Sequence, residues 1–257
     1  MKILGFFGKG GTGKTTLTAL ILRELARRGD GGILAVDADA NECLASLLGA
    51  EGTPTVSDML QKYKRQREES PELTGIDIFQ NLFDSLLMEG EQKGYDMLIM
   101  GRGEGSGCFC AINDLLQAVF EKTVEGESYG YLLMDCEAGV EHIARKTSGE
   151  IHDAIIVTDA SKVSLDTLRR IRDVAKEVGT RIENYYVVAN KTRPDMLDKV
   201  EETAKGLGFK YLGAIPEDPN FTEIAYHGKT VFDLPDDSPA VLAAKKIADQ
   251  ILEGGAV

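Results

Sequence analysis

The run Gly8-Lys9-Gly10-Gly11-Thr12-Gly13-Lys14-Thr15 follows a short apolar stretch, Lys2 to Phe7, and leads into an amphipathic one, Lys14 to Arg28, that stops at Gly29. Few arrangements accommodate such a run. G-x-x-x-x-G-K-T between a strand and a helix curls the backbone so that its N–H groups point inward at phosphate oxygens, and the helix adds the positive end of its dipole. Gly8, Gly10, Gly11, Thr12, Gly13, Lys14, Thr15 and Thr16 are the candidate phosphate-binding residues. Lys14 is placed to reach the β and γ phosphates of a nucleoside triphosphate, and the Thr15 hydroxyl to bind Mg2+.

The rest of the chain repeats the strand-then-helix rhythm. Strands are expected at Lys2 to Phe7, Ile33 to Asp37, Tyr95 to Met100, Tyr131 to Asp135, Ala154 to Thr158, Tyr185 to Asn190 and Tyr211 to Ile215. Their nearly continuous apolarity suits strands covered on both faces. The clearest helices are Lys14 to Arg28, Ser164 to Val178 and Pro239 to Leu252, each closed by glycine. The class is therefore α/β, a doubly wound, mostly parallel sheet with helices on both faces. At 257 residues a single P-loop domain over 1–257 is expected. A charged, helix-like stretch, Asp58 to Glu69, and an apolar one, Ile76 to Met88, form a less regular insertion that reads as a cap or docking element.

Composition narrows the partners. A net charge of -13 opposes long-range attraction to nucleic acid or to anionic lipid, so neither is expected, and a protein or small-molecule partner is. No signal-peptide pattern and no bilayer-length apolar run is evident, which predicts a cytosolic protein. Its four cysteines are then thiols rather than a disulfide framework.

Two aspartates stand where a nucleotide site needs them. Asp135 ends the apolar strand Tyr131-Leu132-Leu133-Met134, at the edge where open α/β sheets bind ligands, and is positioned to hold Mg2+ through water. Asp37-Ala38-Asp39-Ala40-Asn41 follows another strand, and ionised carboxylates there can accept hydrogen bonds from water.

Lys9, immediately after the first glycine, makes the loop resemble that of the MinD/ParA/nitrogenase-iron-protein class of P-loop ATPases, with its K-G-G-x-G-K-T pattern. The resemblance implies a homodimer that sandwiches two ATP molecules, with Lys9 crossing to the partner's nucleotide. Such a lysine acts by neutralising charge that develops on the transferred phosphoryl group. The resemblance further implies that Asp39 orients the attacking water, that Asp37 supports the Mg2+ shell, and that Gly139 senses the γ-phosphate. Ala40 stands where the class often has proline.

Asn190-Lys191-Thr192-Arg193 resembles the base-recognition segment of the same class. Guanine-specific relatives carry an aspartate at the fourth position, whereas Arg193 can only donate, which favours adenine read by the Asn190 amide. Pro216-Glu217-Asp218 resembles a second adenine-side segment.

Cys108-Phe109-Cys110 lies in a glycine-rich run beginning at Gly103. Soft or borderline ions favour closed sites of four thiolates, and a symmetric dimer would supply two pairs. Zn2+ and Ni2+ both suit such a site; a redox-sensitive thiol pair is the alternative. With the Glu137-Ala138-Gly139-Val140-Glu141-His142 run, these features make the chain similar to the CooC-type nickel-insertion ATPases, which implies carbon monoxide dehydrogenase as client. Thr12 departs from that family's small apolar residue. A second functional reading is an electron-donating ATPase with a dimer-bridging iron–sulfur cluster, but its second ligand cysteine would fall at position 142, which is histidine.

Overall fold

The computed structural model describes residues 1–29, 31–69, 88–90, 94–101, 129–136 and 150–254. Its strands are β1 (Lys2–Phe7), β2 (Ile33–Asp37), β3 (Met88–Gly90), β4 (Tyr95–Ile99), β5 (Tyr131–Asp135), β6 (Glu150–Thr158), β7 (Arg181–Asn190) and β8 (Lys210–Ile215). They form one sheet in the order β3-β4-β2-β5-β1-β6-β7-β8. All pairings are parallel except that of β3, which runs antiparallel at the edge beside β4. The doubly wound sheet expected from the apolar rhythm is thus the observed one, with an added edge strand lying largely beyond the apolar stretch Ile76 to Met88.

Helices α1 (Lys14–Arg28), α2 (Cys43–Leu48), α3 (Val56–Glu69), α4 (Lys162–Glu177), α5 (Leu197–Gly206), α6 (Pro219–Tyr226) and α7 (Pro239–Glu253) connect or follow these strands. Alternate strand residues face opposite layers. Leu4 and Phe6 join Leu17, Leu20 and Ile247 in one core; Ile3 and Phe7 join Leu168, Ile171 and Val200 in the other. Two buried faces explain why the strand sequences lack polar alternation. Burying each such side chain stabilises the fold by roughly 1.5–3 kcal/mol before entropy is subtracted.

Strand β6 starts four residues earlier than Ala154, the expected beginning. Its polar start is sheet nonetheless, because His152 Nδ1 accepts from Ile3 N at 3.1 Å and buried Asp153 pairs with Lys2 at 2.7 Å. Helix α4 begins before Ser164, since the Ser161 hydroxyl caps it by accepting from Ser164 N at 3.3 Å. The apolar residues of α7, Val241, Ala244, Ile247 and Ile251 among them, are buried in the core. No helix among the described residues is long and apolar enough to cross a membrane.

Candidate nucleotide site

The C-terminal ends of β1, β2, β5, β6 and β7 lie along one edge of the sheet, and parallel register puts Asp37 beside Asp135 and Asp135 beside Phe6. The phosphate loop leaves β1 at this edge. Gly8 has φ 141, Gly11 φ 82 and Gly13 φ 93, conformations that L side chains rarely adopt. Space is as demanding as torsion at two of them: a Cβ on Gly8 would lie 2.2 Å from the Val157 carbonyl oxygen, and one on Gly13 would lie 2.2 Å from Asn190 Nδ2. Thr12, the departure from the small apolar residue, is buried with its hydroxyl donating to the Lys9 carbonyl at 2.9 Å. Lys14 is buried, and its Nζ reaches the same carbonyl at 3.5 Å. Lys9 itself is exposed at the mouth, alongside Gly10 and Gly11.

Asp135 is buried, and neither carboxylate oxygen makes a well-formed hydrogen bond. Burial pushes its pKa up to about 6; the Thr15 hydroxyl and the Lys14 ammonium pull it back only in part. A buried carboxylate so incompletely compensated is costly unless a cation meets it. The donor set therefore fits Mg2+, with Asp135 and Thr15 as the residues that would hold it. Among the described residues no group of three or more His, Cys, Asp or Glu side chains is gathered to hold a metal.

Asp37 makes contacts that its position in the sequence does not announce. Its Oδ1 accepts from Asp39 N at 3.1 Å, and its Oδ2 from Leu44 N at 2.9 Å and Ala45 N at 3.0 Å. It closes the N-terminus of α2 from the end of β2, a capping contact seven and eight residues away in sequence. Burial nevertheless pushes its pKa up to about 7, with the neighbouring Asp135 charge adding to the rise. Asp37 thus braces the loop that presents Asp39. The Asp39 carboxylate accepts through Oδ1 from Asn41 N at 2.8 Å and Asn41 Nδ2 at 2.9 Å.

Asn190 and Lys191 join the site in an unexpected way. Asn190 Nδ2 donates to the Thr12 carbonyl at 2.8 Å, Asn190 Oδ1 accepts from Lys191 N at 3.0 Å, and Lys191 Nζ donates to the Gly11 carbonyl at 2.9 Å. Lys191 takes a left-handed backbone, φ 52, to do so. The two residues hold the phosphate loop in shape. Arg193 is exposed and pairs with Asp195 at 2.7 Å.

Pro216 and Glu217 are exposed beyond the end of β8. Asp218 is not available to a base: its carboxylate accepts from Asn220 N at 3.0 Å, Asn220 Nδ2 at 2.8 Å, Ala240 N at 3.1 Å and the Ser238 hydroxyl. It tethers the start of α7 to the loop before α6. Like Asp37, Asp218 finds a capping partner well away in sequence.

Asp159, beyond the end of β6, accepts through Oδ1 from Ser161 N at 2.8 Å. Burial raises its carboxyl, but the Ser161 hydroxyl and N–H, Ser164 and the Lys9 ammonium outweigh that and hold it below the usual carboxylate range. The D-x-S signature after an apolar strand is the available signal. Cys43 is exposed beside Asp39, and burial together with the Asp39, Asp37 and Asp135 charges pushes its thiol up, away from the thiolate a metal requires. Gly139, Cys108, Cys110, the run Glu137 to His142 and most of Ile76 to Met88 lie outside the described residues.

Comparison with known proteins agrees with this geometry. An uncharacterised ATP-binding protein of Methanocaldococcus jannaschii is 35% identical over 253 residues, covering 97% of this chain and 98% of the relative. The carbon monoxide dehydrogenase accessory protein CooC of Rhodospirillum rubrum is 30% identical over 260 residues, covering 92% of this chain and 93% of its own. Among solved structures, the MinD cell division protein of Aquifex aeolicus superposes with a TM-score of 0.70 at 21% identity, over 100% of this chain and 98% of that one. The Pyrococcus horikoshii septum site-determining protein MinD, complexed with Mg-ADP, gives 0.69 at 22%, over 99% and 97%. At such identities the likeness concerns the fold. The family model of the CobQ/CobB/MinD/ParA nucleotide binding domain matches residues 6–231, and the chain belongs to that family of P-loop ATPases.

Proposed function

We propose that this ATPase is an ATP-driven metallochaperone that carries Ni2+ or Zn2+ on Cys108 and Cys110 and delivers it to an enzyme of the carbon monoxide dehydrogenase type. One observation carries the reading: a chain 30% identical to CooC over nearly its whole length also contains a C-x-C pair in a glycine-rich loop. Two cysteines fall short of a closed thiolate site, and a homodimer completes it.

In this reading ATP closes two P-loop domains face to face. Exposed Lys9 of each reaches the partner's phosphates, and the two C-x-C loops meet on one ion. Asn190, Lys191, Pro216 and Glu217 form the adenine side of the pocket, with Asp218 contributing backbone alone. Mg2+, held by Thr15 and Asp135, supplies charge neutralisation at the phosphates. Asp39 orients the attacking water, Lys14 and Lys9 stabilise charge on the transferred group, and Gly139 registers the γ-phosphate. Hydrolysis removes the contacts that favoured the closed dimer, and the metal is released beside the client.

The test is reactivation of nickel-free carbon monoxide dehydrogenase by the nickel-loaded protein. Reactivation should require ATP hydrolysis and should fail with Lys9→Ala and with Cys108→Ala/Cys110→Ala. Equal reactivation by wild type and the cysteine variant would remove the metal role.

A further inference from the structure

Three donors converge on one oxygen of the phosphate loop. The Lys9 carbonyl accepts from the Thr12 hydroxyl at 2.9 Å, from Thr12 N at 3.3 Å and from Lys14 Nζ at 3.5 Å. A carbonyl oxygen has two lone pairs, so one of the three donors is in excess. Lys14 is held least tightly. Its contact lies at the outer limit of a hydrogen bond, and among the described residues it is the only one the Lys14 ammonium makes.

Thr12, in contrast, is fixed where it stands. It is buried, and its own carbonyl accepts from Asn190 Nδ2 at 2.8 Å. Its Oγ1 packs so near Gly8 that a Cβ there would come within 3.1 Å of it. The end of β7 thus holds Thr12, and Thr12 holds the Lys9 carbonyl.

This arrangement bears on the arrival of a nucleotide. To meet the β and γ phosphates, Lys14 exchanges a neutral carbonyl oxygen for charged phosphate oxygens. Without the Thr12 hydroxyl, that exchange would leave the Lys9 carbonyl, turned toward buried Thr12 and Lys14, with the long bond from Thr12 N alone. An oxygen so poorly satisfied opposes the departure of the lysine. With the hydroxyl in place, the carbonyl keeps a short bond throughout.

We propose that Thr12 is a positioning residue of the nucleotide site, whose hydroxyl keeps the Lys9 carbonyl satisfied as Lys14 moves to the phosphates and so releases the lysine to the nucleotide. The proposal rests on the assignment of Lys14 to the phosphates and is independent of the metal on Cys108 and Cys110.

Two substitutions at Thr12 separate this role from packing. Thr12→Val keeps the branched shape and removes the hydroxyl, whereas Thr12→Ser keeps the hydroxyl and removes the methyl group. Titration with a fluorescent ATP analogue in the presence of Mg2+ should show affinity lower by about fivefold or more in Thr12→Val and within about twofold of wild type in Thr12→Ser. A packing role would reverse that order. Thr12→Ala gives the same comparison with serine if the valine variant does not fold. In a Lys14→Met background, with no ammonium to release, adding Thr12→Val should change the remaining affinity by less than about twofold. Wild-type affinity in Thr12→Val, or equal losses in the valine and serine variants, would overturn the role of the hydroxyl. A valine effect of the same size with and without Lys14 would overturn its link to the lysine. Lys14→Met alone binding as tightly as wild type would overturn the assignment of Lys14 to the phosphates, and the proposal with it.

Discussion

The side-chain amide of Asn190 donates to the backbone carbonyl of Thr12 at 2.8 Å, so the end of β7 holds the phosphate loop from the side opposite β1. Asn190→Ala removes that donor and leaves a buried carbonyl unsatisfied, at a cost of about 1–3 kcal/mol. ATP affinity, measured by titration with a fluorescent analogue, should fall by about tenfold or more. Unchanged affinity would mean that the loop keeps its shape without the brace.

The loop glycines should differ sharply from one another. Gly8→Ala combines φ 141 with a Cβ 2.2 Å from backbone, which cannot swing aside. A Cβ on Gly10 would meet nothing within 4 Å, and Gly10 has no positive φ. Denaturant unfolding without nucleotide should show Gly8→Ala less stable by about 3 kcal/mol and Gly10→Ala within about 0.5 kcal/mol of wild type.

Asp135→Asn should separate stability from function. Burial raises the folded pKa of Asp135 to about 6, above the unfolded carboxylate value near 3.9. The folded state therefore holds the proton more tightly, and ionisation opposes folding increasingly as pH rises through that interval. Without Mg2+, the asparagine variant should be at least as stable as wild type at pH 8, with less advantage at pH 4. Mg2+-dependent hydrolysis should nonetheless fall by about 100-fold or more. A variant that hydrolyses normally would remove Asp135 from the Mg2+ site.

Asp218 carries the opposite sign. Burial raises its carboxyl, but hydrogen bonds from Ser238, Ala240 and Asn220 prevail and hold it below the usual value. Its contribution is fully present above the unfolded pKa and is lost as pH falls through the lower folded pKa. Asp218→Ala should cost about 1–3 kcal/mol at pH 7, and the difference from wild type should shrink below about pH 4. A pH-independent difference would assign the loss to packing alone.

Much of this architecture is legible in the sequence because both faces of the sheet are covered. Runs such as Ile33 to Asp37 and Tyr131 to Asp135 declare themselves by continuous apolarity, and the phosphate loop by its glycines. The polar start of β6 is not legible: His152 and Asp153 are accommodated by partners on β1 that no local pattern announces. The same reason hides the roles of Asp37 and Asp218. Each reads as a carboxylate near the nucleotide, and each proves to cap a helix, Asp37 at Leu44 and Ala45 and Asp218 at Ala240. Asn190 declares itself a site residue by its segment, yet its hold on Thr12, 178 positions away, is a product of the fold.

The metal site bears most directly on the proposed function. Anaerobically purified wild type and Cys108→Ala/Cys110→Ala should be compared for mass in solution and for bound nickel and zinc, each with and without ATP and Mg2+. The account predicts one metal ion per wild-type dimer and none in the variant, with ATP binding retained in both. Equal metal content in the two proteins would contradict it, leaving an ATPase of this family whose cargo is not held by the C-x-C pair.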